Sequence, residues 1–317
     1  MSTFSVERLS RADGTSLAVY SWPARDNGRD KTPKAVVQIV HGLSEHAARY
    51  DRLARALTQA GYVVYASDHR GHGQSARSPR DQGHFADRDG FDRVVEDIYA
   101  VHQHIVAQRP GLKNVLLGHS FGSFVVQRYL ALHGDTLQGA VLSGTTAGAA
   151  PLLKIALGVA RVERLRVGAQ SPSALMQRLT FGGYNNAFKP TKTEFDWLSR
   201  DAEEVAKYVA DPMCGFAVTT QAWCDLLGGM LANEDSGLRG RVPKHLPIYI
   251  MSGAVDPTGR AGAGPKALAA AYERAGLDQV TLRLYPDSRH ELFNETNRDE
   301  VTTDLIAWLN RHVGSAS

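Results

Sequence analysis

The sequence is poor in cysteine: two residues, Cys214 and Cys224, among 317. A disulfide framework is therefore not what stabilises the chain, and a reducing, cytoplasmic setting is expected. Nowhere do apolar residues run for the ~18 positions that a membrane span needs. The most apolar helical stretch, "APLLKIALGVARV" (150–162), is shorter and is interrupted by Lys154. The start, "MSTFSVERLSRADGTSLAVYSW", has no basic segment followed by an apolar one, so no secretory signal is read there. Charge of one sign is not in excess, with Lys+Arg 36 against Asp+Glu 33. The total therefore gives no electrostatic hold on nucleic acid. There is no internal repeat and no low-complexity tract.

What is present is the composition of an ordinary globular protein, 43% apolar and 22% charged. A hairpin opens the chain: "FSVERLSR", the turn signal Asp13-Gly14, then "TSLAVYSW". A polar stretch follows over 25–34. From there strand and helix patterns alternate: strands at 35–42, 62–73, "NVLLGHS" and 137–144, helices at 47–61, 91–110 and "SFVVQRYLALHG". The rhythm breaks over about 145–240, which carries helical patterns and loops but no convincing strand. It resumes with strands at 246–253 and 280–286 and helices at 263–276 and 298–313. Such alternation predicts an α/β protein with a mostly parallel sheet covered on both faces. We expect residues 1–144 and 241–317 to form the core and 145–240 to be an inserted helical cap over the carboxyl edge, where ligands bind in open α/β sheets.

Within "LLGHSFGSF", Gly118-His119-Ser120-Phe121-Gly122 fits Gly-X-Ser-X-Gly between a strand and a helix. That pattern forms a nucleophile elbow. The glycines relieve crowding in a sharp turn, which lifts the serine oxygen above the sheet at a helix N-terminus. A serine needs a base, and the base needs an orienting acid, in the order Ser, Asp/Glu, His. Asp256, in "YIMSGAVDPTG", leaves a strand into a sharp loop and is the expected acid. Asp287 shares the loop of the expected base, and Asp225 lies in the insertion. Of the histidines beyond Asp256, His312 falls near the end of the last helix, whereas His290 sits on the loop after the last strand. His290 is the expected base. The oxyanion would rest on the N–H of Phe121, after the nucleophile, and of Leu43, after the strand at 35–40.

His41, His46, His69, His72 and His119 gather at strand exits. "HGLSEH" and "DHRGHG" match no ligand spacing such as HExxH, so no metal is expected. These rings are expected to brace loops by hydrogen bonding, and Asp68 with Arg70 to form a bracing ion pair.

Together "HGLSEHAARY", "YASDHRGHGQS", "GHSFGS", "SGAVDP" and "HELFNE" resemble the monoacylglycerol lipase/lysophospholipase branch of the α/β-hydrolases. The resemblance runs from about 35 to 313, and "VAKYVADPMCGF" in the insertion matches a Tyr-x-x-Asp-Pro segment of the branch. It implies an α/β-hydrolase fold, an esterase acting on monoacyl lipids, and a cap enclosing an acyl tunnel that 152–162 and 173–184 could line. By motif position it carries the triad onto Ser120, Asp256 and His290 and the oxyanion hole onto Leu43 and Phe121. In members that bind glycerol esters, the Glu and Arg of the first segment help hold the headgroup. Here these are Glu45 and Arg49, for which an ion pair fixing the loop is an equally open reading. Mammalian members carry a second histidine three residues after the catalytic one. This chain has Phe293 there, a departure that bears on glycerol recognition and not on ester hydrolysis.

The expected chemistry is acyl transfer to water through a Ser-His-Asp triad, with no metal or organic cofactor. The partner is a small lipid or ester substrate, with transient membrane-surface contact through the cap. Open alternatives are a carboxylesterase for small esters, a peptidase, transfer to an alcohol, and a non-catalytic binding protein. Epoxide hydrolase and dehalogenase chemistry is disfavoured, because their nucleophile at this position is Asp.

Overall fold

The computed structural model describes residues 4–26, 29–30 and 32–313. Its strands are β1 (Ser5–Ser10), β2 (Ser16–Trp22), β3 (Arg25–Asp26), β4 (Arg29–Asp30), β5 (Val36–Val40), β6 (Val63–Ser67), β7 (Asn114–His119), β8 (Gly139–Ser143), β9 (Ile248–Gly253) and β10 (Val280–Tyr285). Its helices are α1 (Asp51–Gln59), α2 (Gly90–Gln108), α3 (Phe121–His133), α4 (Ala150–Val167), α5 (Ala174–Phe181), α6 (Ala202–Ala210), α7 (Thr220–Ala232), α8 (Ser236–Gly240), α9 (Ala263–Arg274) and α10 (Arg298–His312). Of the polar stretch 25–34, residues 27, 28 and 31 lie outside the described residues, as do both chain ends. β3 and β4 pair there as a short antiparallel ribbon.

The main sheet has eight strands in the order β1-β2-β6-β5-β7-β8-β9-β10. The opening hairpin pairs antiparallel, Ser5 with Ser21 through Ser10 with Ser16, and β2 joins β6 antiparallel. From β6 to β10 every pairing is parallel. Strands buried on both faces read as continuous apolar runs, which is why "VVQIV" and "IYIMSG" are recognisable. Alternate residues feed opposite cores: Leu116, Leu142 and Ile250 pack with α2, α3 and α9, while Leu117, Val141 and Met251 pack with α1 and α10.

The strand order reverses beside β5. The chain leaving β5 turns to α1 on one face, and the chain leaving β7 turns to α3 on the other. The two loops part there and open a crevice at the carboxyl edge.

Helices α4 to α8 all lie between β8 and β9. Ser173, Asp201, Thr219 and Asp235 start four of them by accepting a hydrogen bond from an N–H of the first turn. This segment has no core of its own apart from a small cluster around Trp197, Leu198 and Tyr208. Leu153, Leu157, Trp223 and Leu226 share one apolar cluster with Phe121 and Leu116 of the sheet side.

Candidate active site

Ser120 joins β7 directly to α3 and holds φ +51°, ψ −120°. A non-glycine residue there is strained, and the surroundings must over-determine it. Its N–H donates to Ser143 O at 2.9 Å, and its C=O accepts from Ser123 N at 2.8 Å and Ser123 Oγ at 2.6 Å. The flanking glycines are required by contact. A Cβ on Gly122 would stand 2.1 Å from Val40 O, and one on Gly118 would stand 2.6 Å from Gly122 O.

Asp256, just past β9, and His290, on the loop after β10, meet although 34 residues apart. His290 Nδ1 and Asp256 Oδ2 are 2.9 Å from each other, and both side chains are buried. Asp256 Oδ1 also accepts from Thr258 N at 2.8 Å. Burial alone would raise the Asp256 pKa, but the His290 ring and the Thr258 N–H outweigh it and hold the carboxyl below its ordinary range. Burial alone would lower the His290 pKa, and the Asp256 charge reverses this, so the imidazole is pushed above its ordinary value. The ring sits between Trp197, 5.1 Å away by centroids, and His119, 4.8 Å away. Burial, then the neighbouring His290 charge, lower the His119 pKa to about 4, so that ring is neutral at pH 7. Ser120 and His290 line the same cavity. No hydrogen bond joins Ser120 Oγ to the ring among the described residues, a looseness that substrate-free sites often show.

Leu43 and Phe121 flank Ser120 from the two diverging loops. As the first residue of α3, Phe121 has no acceptor for its N–H within the helix. The Leu43 N–H has no acceptor among the described residues, because Glu45 reaches back and takes the preceding amide, Gly42 N to Oε1 at 2.5 Å. Gly42 itself lies close to the serine, with a Cβ built there 3.3 Å from Ser120 Cβ.

Glu45 and Arg49 are brought together, and Glu291 joins them. Arg49 bonds Glu45 and forks onto both Glu291 oxygens at 2.8 Å, while Tyr50 Oη donates to Glu45 at 2.9 Å. Burial would raise the Glu291 pKa, but the Arg49 guanidinium outweighs it and holds the carboxyl at about 2. Glu45 and Glu291 line the main cavity; Arg49 stands behind them against a pocket of about 20 Å3 that Phe293 also lines. Arg49 is thus spent on two carboxylates rather than turned toward a headgroup.

The other histidines brace loops. His41 Nε2 accepts from His69 N at 3.0 Å and its Nδ1 donates to Gly42 O at 2.7 Å; His72 Nε2 accepts from Ser44 N at 3.2 Å. Burial lowers the pKa of His69 to about 4 and of His72 to about 3. The expected Asp68–Arg70 pair does not form. Asp68 instead accepts from Ala47 N, Gln74 N and Tyr20 Oη, whereas Arg70 forks onto Asp97 and reaches Asp13. The chain has already left β6 and turns at Arg70-Gly71, where Gly71 holds φ +70°, so the two side chains find separate partners. Among the described residues, one group could supply three metal-ligand atoms, His46, Asp211 and Cys214, all within 4.8 Å. In it His46 Nε2 and Asp211 Oδ2 are 2.8 Å apart and hydrogen-bond each other. Both cysteines are free thiols.

The cavity above Ser120 measures about 410 Å3. Leu153, Phe181, Trp223 and Leu226 give it apolar walls, and Leu152 and Leu179, themselves largely exposed, stand at its rim. The arrangement offers a hydroxyl at a helix N-terminus, an imidazole tied to a buried carboxylate, two amides without acceptors and an apolar chamber. These are the groups that acyl transfer requires.

The sheet order and this site define an α/β-hydrolase. More narrowly, the chain belongs to the family described as serine aminopeptidase, S33, whose sequence profile matches residues 31–297. It is 31% identical to a monoacylglycerol lipase of Mycolicibacterium smegmatis, over 98% of this chain and 99% of that one. It is 28% identical to the monoglyceride lipase of Homo sapiens, over 96% of this chain and 89% of that one. Among solved structures, a thermostable carboxyl esterase of Bacillus coagulans in complex with glycerol superposes with a TM-score of 0.89 at 28% identity, covering 99% of this chain and 100% of that one.

Three site features escaped the sequence reading. Glu291 stands next to His290 within "HELFNE", and a carboxylate there was a signal for a partner to Arg49. Trp197 gave no signal, because its strand-free surroundings carry no period. The buried contacts of His119 follow from its place as the X of the Ser motif.

Proposed function

We propose that this carboxylic ester hydrolase cleaves esters of monoacyl lipids, with Ser120 as nucleophile, His290 as general base and Asp256 as its orienting acid. Ser120 Oγ attacks the ester carbonyl while His290 Nε2 takes its proton. The oxyanion rests on the N–H groups of Leu43 and Phe121. His290 then gives the proton to the leaving alcohol, and a water, deprotonated by the same ring, releases the acid from the acyl-enzyme. The observation that carries the reading is the buried 2.9 Å bond between His290 and Asp256, on the wall of the cavity that Ser120 also lines.

Residues 145–240 act as the cap and 1–144 with 241–317 as the base, and the acyl chain lies under α4 and α5. The apolar chamber and the similarity to monoacylglycerol lipases support a single long chain over a small ester. Among the described residues, no helix is long and apolar enough to cross a membrane. Ile155, Val162 and Leu165 of α4 and Leu179 of α5 are each more than three-fifths exposed, however, and a lipid surface is the partner that suits them. A cytoplasmic enzyme that touches membranes transiently fits these features.

A hydrolysis panel tests the substrate. Monoacylglycerols and long-chain lysophospholipids should exceed acetate and butyrate esters in kcat/KM by at least tenfold. The reverse order would leave the triad and replace the lipid by small esters.

A further inference from the structure

The residues on either side of His290 are laced to a short turn of the segment between β8 and β9. That turn, Asp196–Leu198, is a single one of 3-10 helix. Glu291 N donates to Leu198 O at 2.8 Å, and the Arg289 guanidinium donates to Asp196 O and, at 3.2 Å, to Ser199 O. Glu295 closes the lacing, accepting from Arg289 N at 2.8 Å and from the Arg200 side chain at 2.9 Å. Trp197 and His290 are the middle residues of the two laced stretches, and their rings meet with centroids 5.1 Å apart. Trp197 is wedged in turn. Phe181 stacks on it at 5.8 Å, Tyr184 meets it edge-on at 4.9 Å, and its backbone N–H donates to Asn185 Oδ1 at 2.8 Å.

A general base needs such a hold. The bond to Asp256 fixes where Nδ1 sits, but the ring plane can still turn about that bond, and the χ2 torsion of a histidine has broad minima. Proton transfer requires Nε2 to lie within hydrogen-bond reach of the hydroxyl it serves. Packing must therefore set the plane. Gly144 closes one edge of the ring, since a Cβ there would stand 2.9 Å from His290 Cε1. His119 and Trp197 bound it further, and of these Trp197 alone comes from between β8 and β9.

We propose that Trp197 is a positioning residue for the general base. Residues 196–199, laced to 289–291, hold the plane of the His290 ring so that Nε2 faces Ser120. The catalytic group is then incomplete without the segment between β8 and β9. The inference rests on the reading of His290 as base. Trp197 also lines the cavity, so a plain role as a wall for the acyl chain is the competing account. The two accounts differ in what they do to kcat and KM.

The test measures kcat and KM for p-nitrophenyl acetate and p-nitrophenyl octanoate in wild type, Trp197→Leu, Trp197→Phe and Arg289→Met, with Ser120→Ala as reference. The same ring serves acylation and deacylation, so kcat reports its placement whichever step is slower. Trp197→Leu should lower kcat about 10- to 100-fold, by the same factor for both esters, with KM for the acetate little changed. Trp197→Phe should restore most of the loss. Arg289 lies outside the cavity wall, and Arg289→Met should lower kcat for both esters about 5-fold. Melting curves confirm that each variant is folded at the assay temperature. An unchanged kcat in Trp197→Leu overturns the proposal. So does a loss that appears in KM, grows with chain length and spares the acetate, which makes Trp197 a wall of the chamber only. In both cases an inactive Ser120→Ala leaves the catalytic reading standing. Ser120→Ala as active as wild type overturns that reading, and the positioning role with it.

Discussion

The stretch from Trp197 to Phe216 and the pair α4–α5 both cover the sheet, but they are fastened in different ways. The first is bolted to the base by polar bonds: Arg52 to Glu204, Tyr208 Oη to Ser44 O at 3.0 Å, His46 to Asp211 at 2.8 Å, and Arg298 to Asp201 at 2.6 Å. Trp197 from this stretch packs against His290. In α4 and α5, Leu153, Leu157 and Met176 anchor the inner face, while Leu152, Ile155, Leu165 and Leu179 look outward. Directional bonds fix the wall that holds Trp197 against the His290 ring. Non-directional apolar contact holds the other wall, formed by α4 and α5.

Substitutions should divide along this line. The largest effect belongs to the fixed floor. Ser120→Ala should lower kcat by about 10^4 to 10^6 for esters of every chain length, with little change in Tm. A loss confined to long chains would move the chemistry away from Ser120. Next is Arg49→Met, which leaves Glu45 and Glu291 buried beside each other. It should cost about 3–5 kcal/mol in chemical denaturation. A cost below ~1 kcal/mol would show the network to be dispensable.

The third effect is a shift in pH. The base must be neutral to act, and Asp256 raises the His290 pKa, so kcat/KM should rise with pH through a midpoint above the ordinary value of about 6.5. Glu291 contributes to that rise, so Glu291→Gln should move the midpoint downward. A midpoint that stays put in this variant would remove Glu291 from the electrostatics of the base. The smallest effect belongs to the rim. Ile155→Ser with Leu165→Ser should change stability by no more than about 0.5 kcal/mol and spare soluble short esters. It should weaken co-sedimentation with liposomes, and undiminished co-sedimentation would break the proposed lipid contact.

The same division decides how much could be read from sequence. Strands flanked by glycine-rich turns, with Ser120, Asp256 and His290 each just past one, are visible because backbone geometry restricts which residues fit there. The mostly parallel sheet and the pairing of Asp256 with His290 were expected from that pattern, whereas the order of the strands was not. Bolts such as His46–Asp211 and Arg52–Glu204 join residues more than 150 positions apart with no period to link them. Arg70 illustrates the limit: its charge drew attention to Asp68 nearby, whereas its partners, Asp97 and Asp13, come from α2 and the opening hairpin turn. The apolar run at 150–162 announced a helix, but packing alone decides which of its residues face the cavity.

The central claim, that Ser120 is the nucleophile activated by His290, is tested most directly by fluorophosphonate labelling followed by peptide mapping. One adduct is expected, on Ser120, abolished in Ser120→Ala and strongly slowed in His290→Ala. An adduct on another residue, or labelling of Ser120→Ala at the wild-type rate, would contradict it.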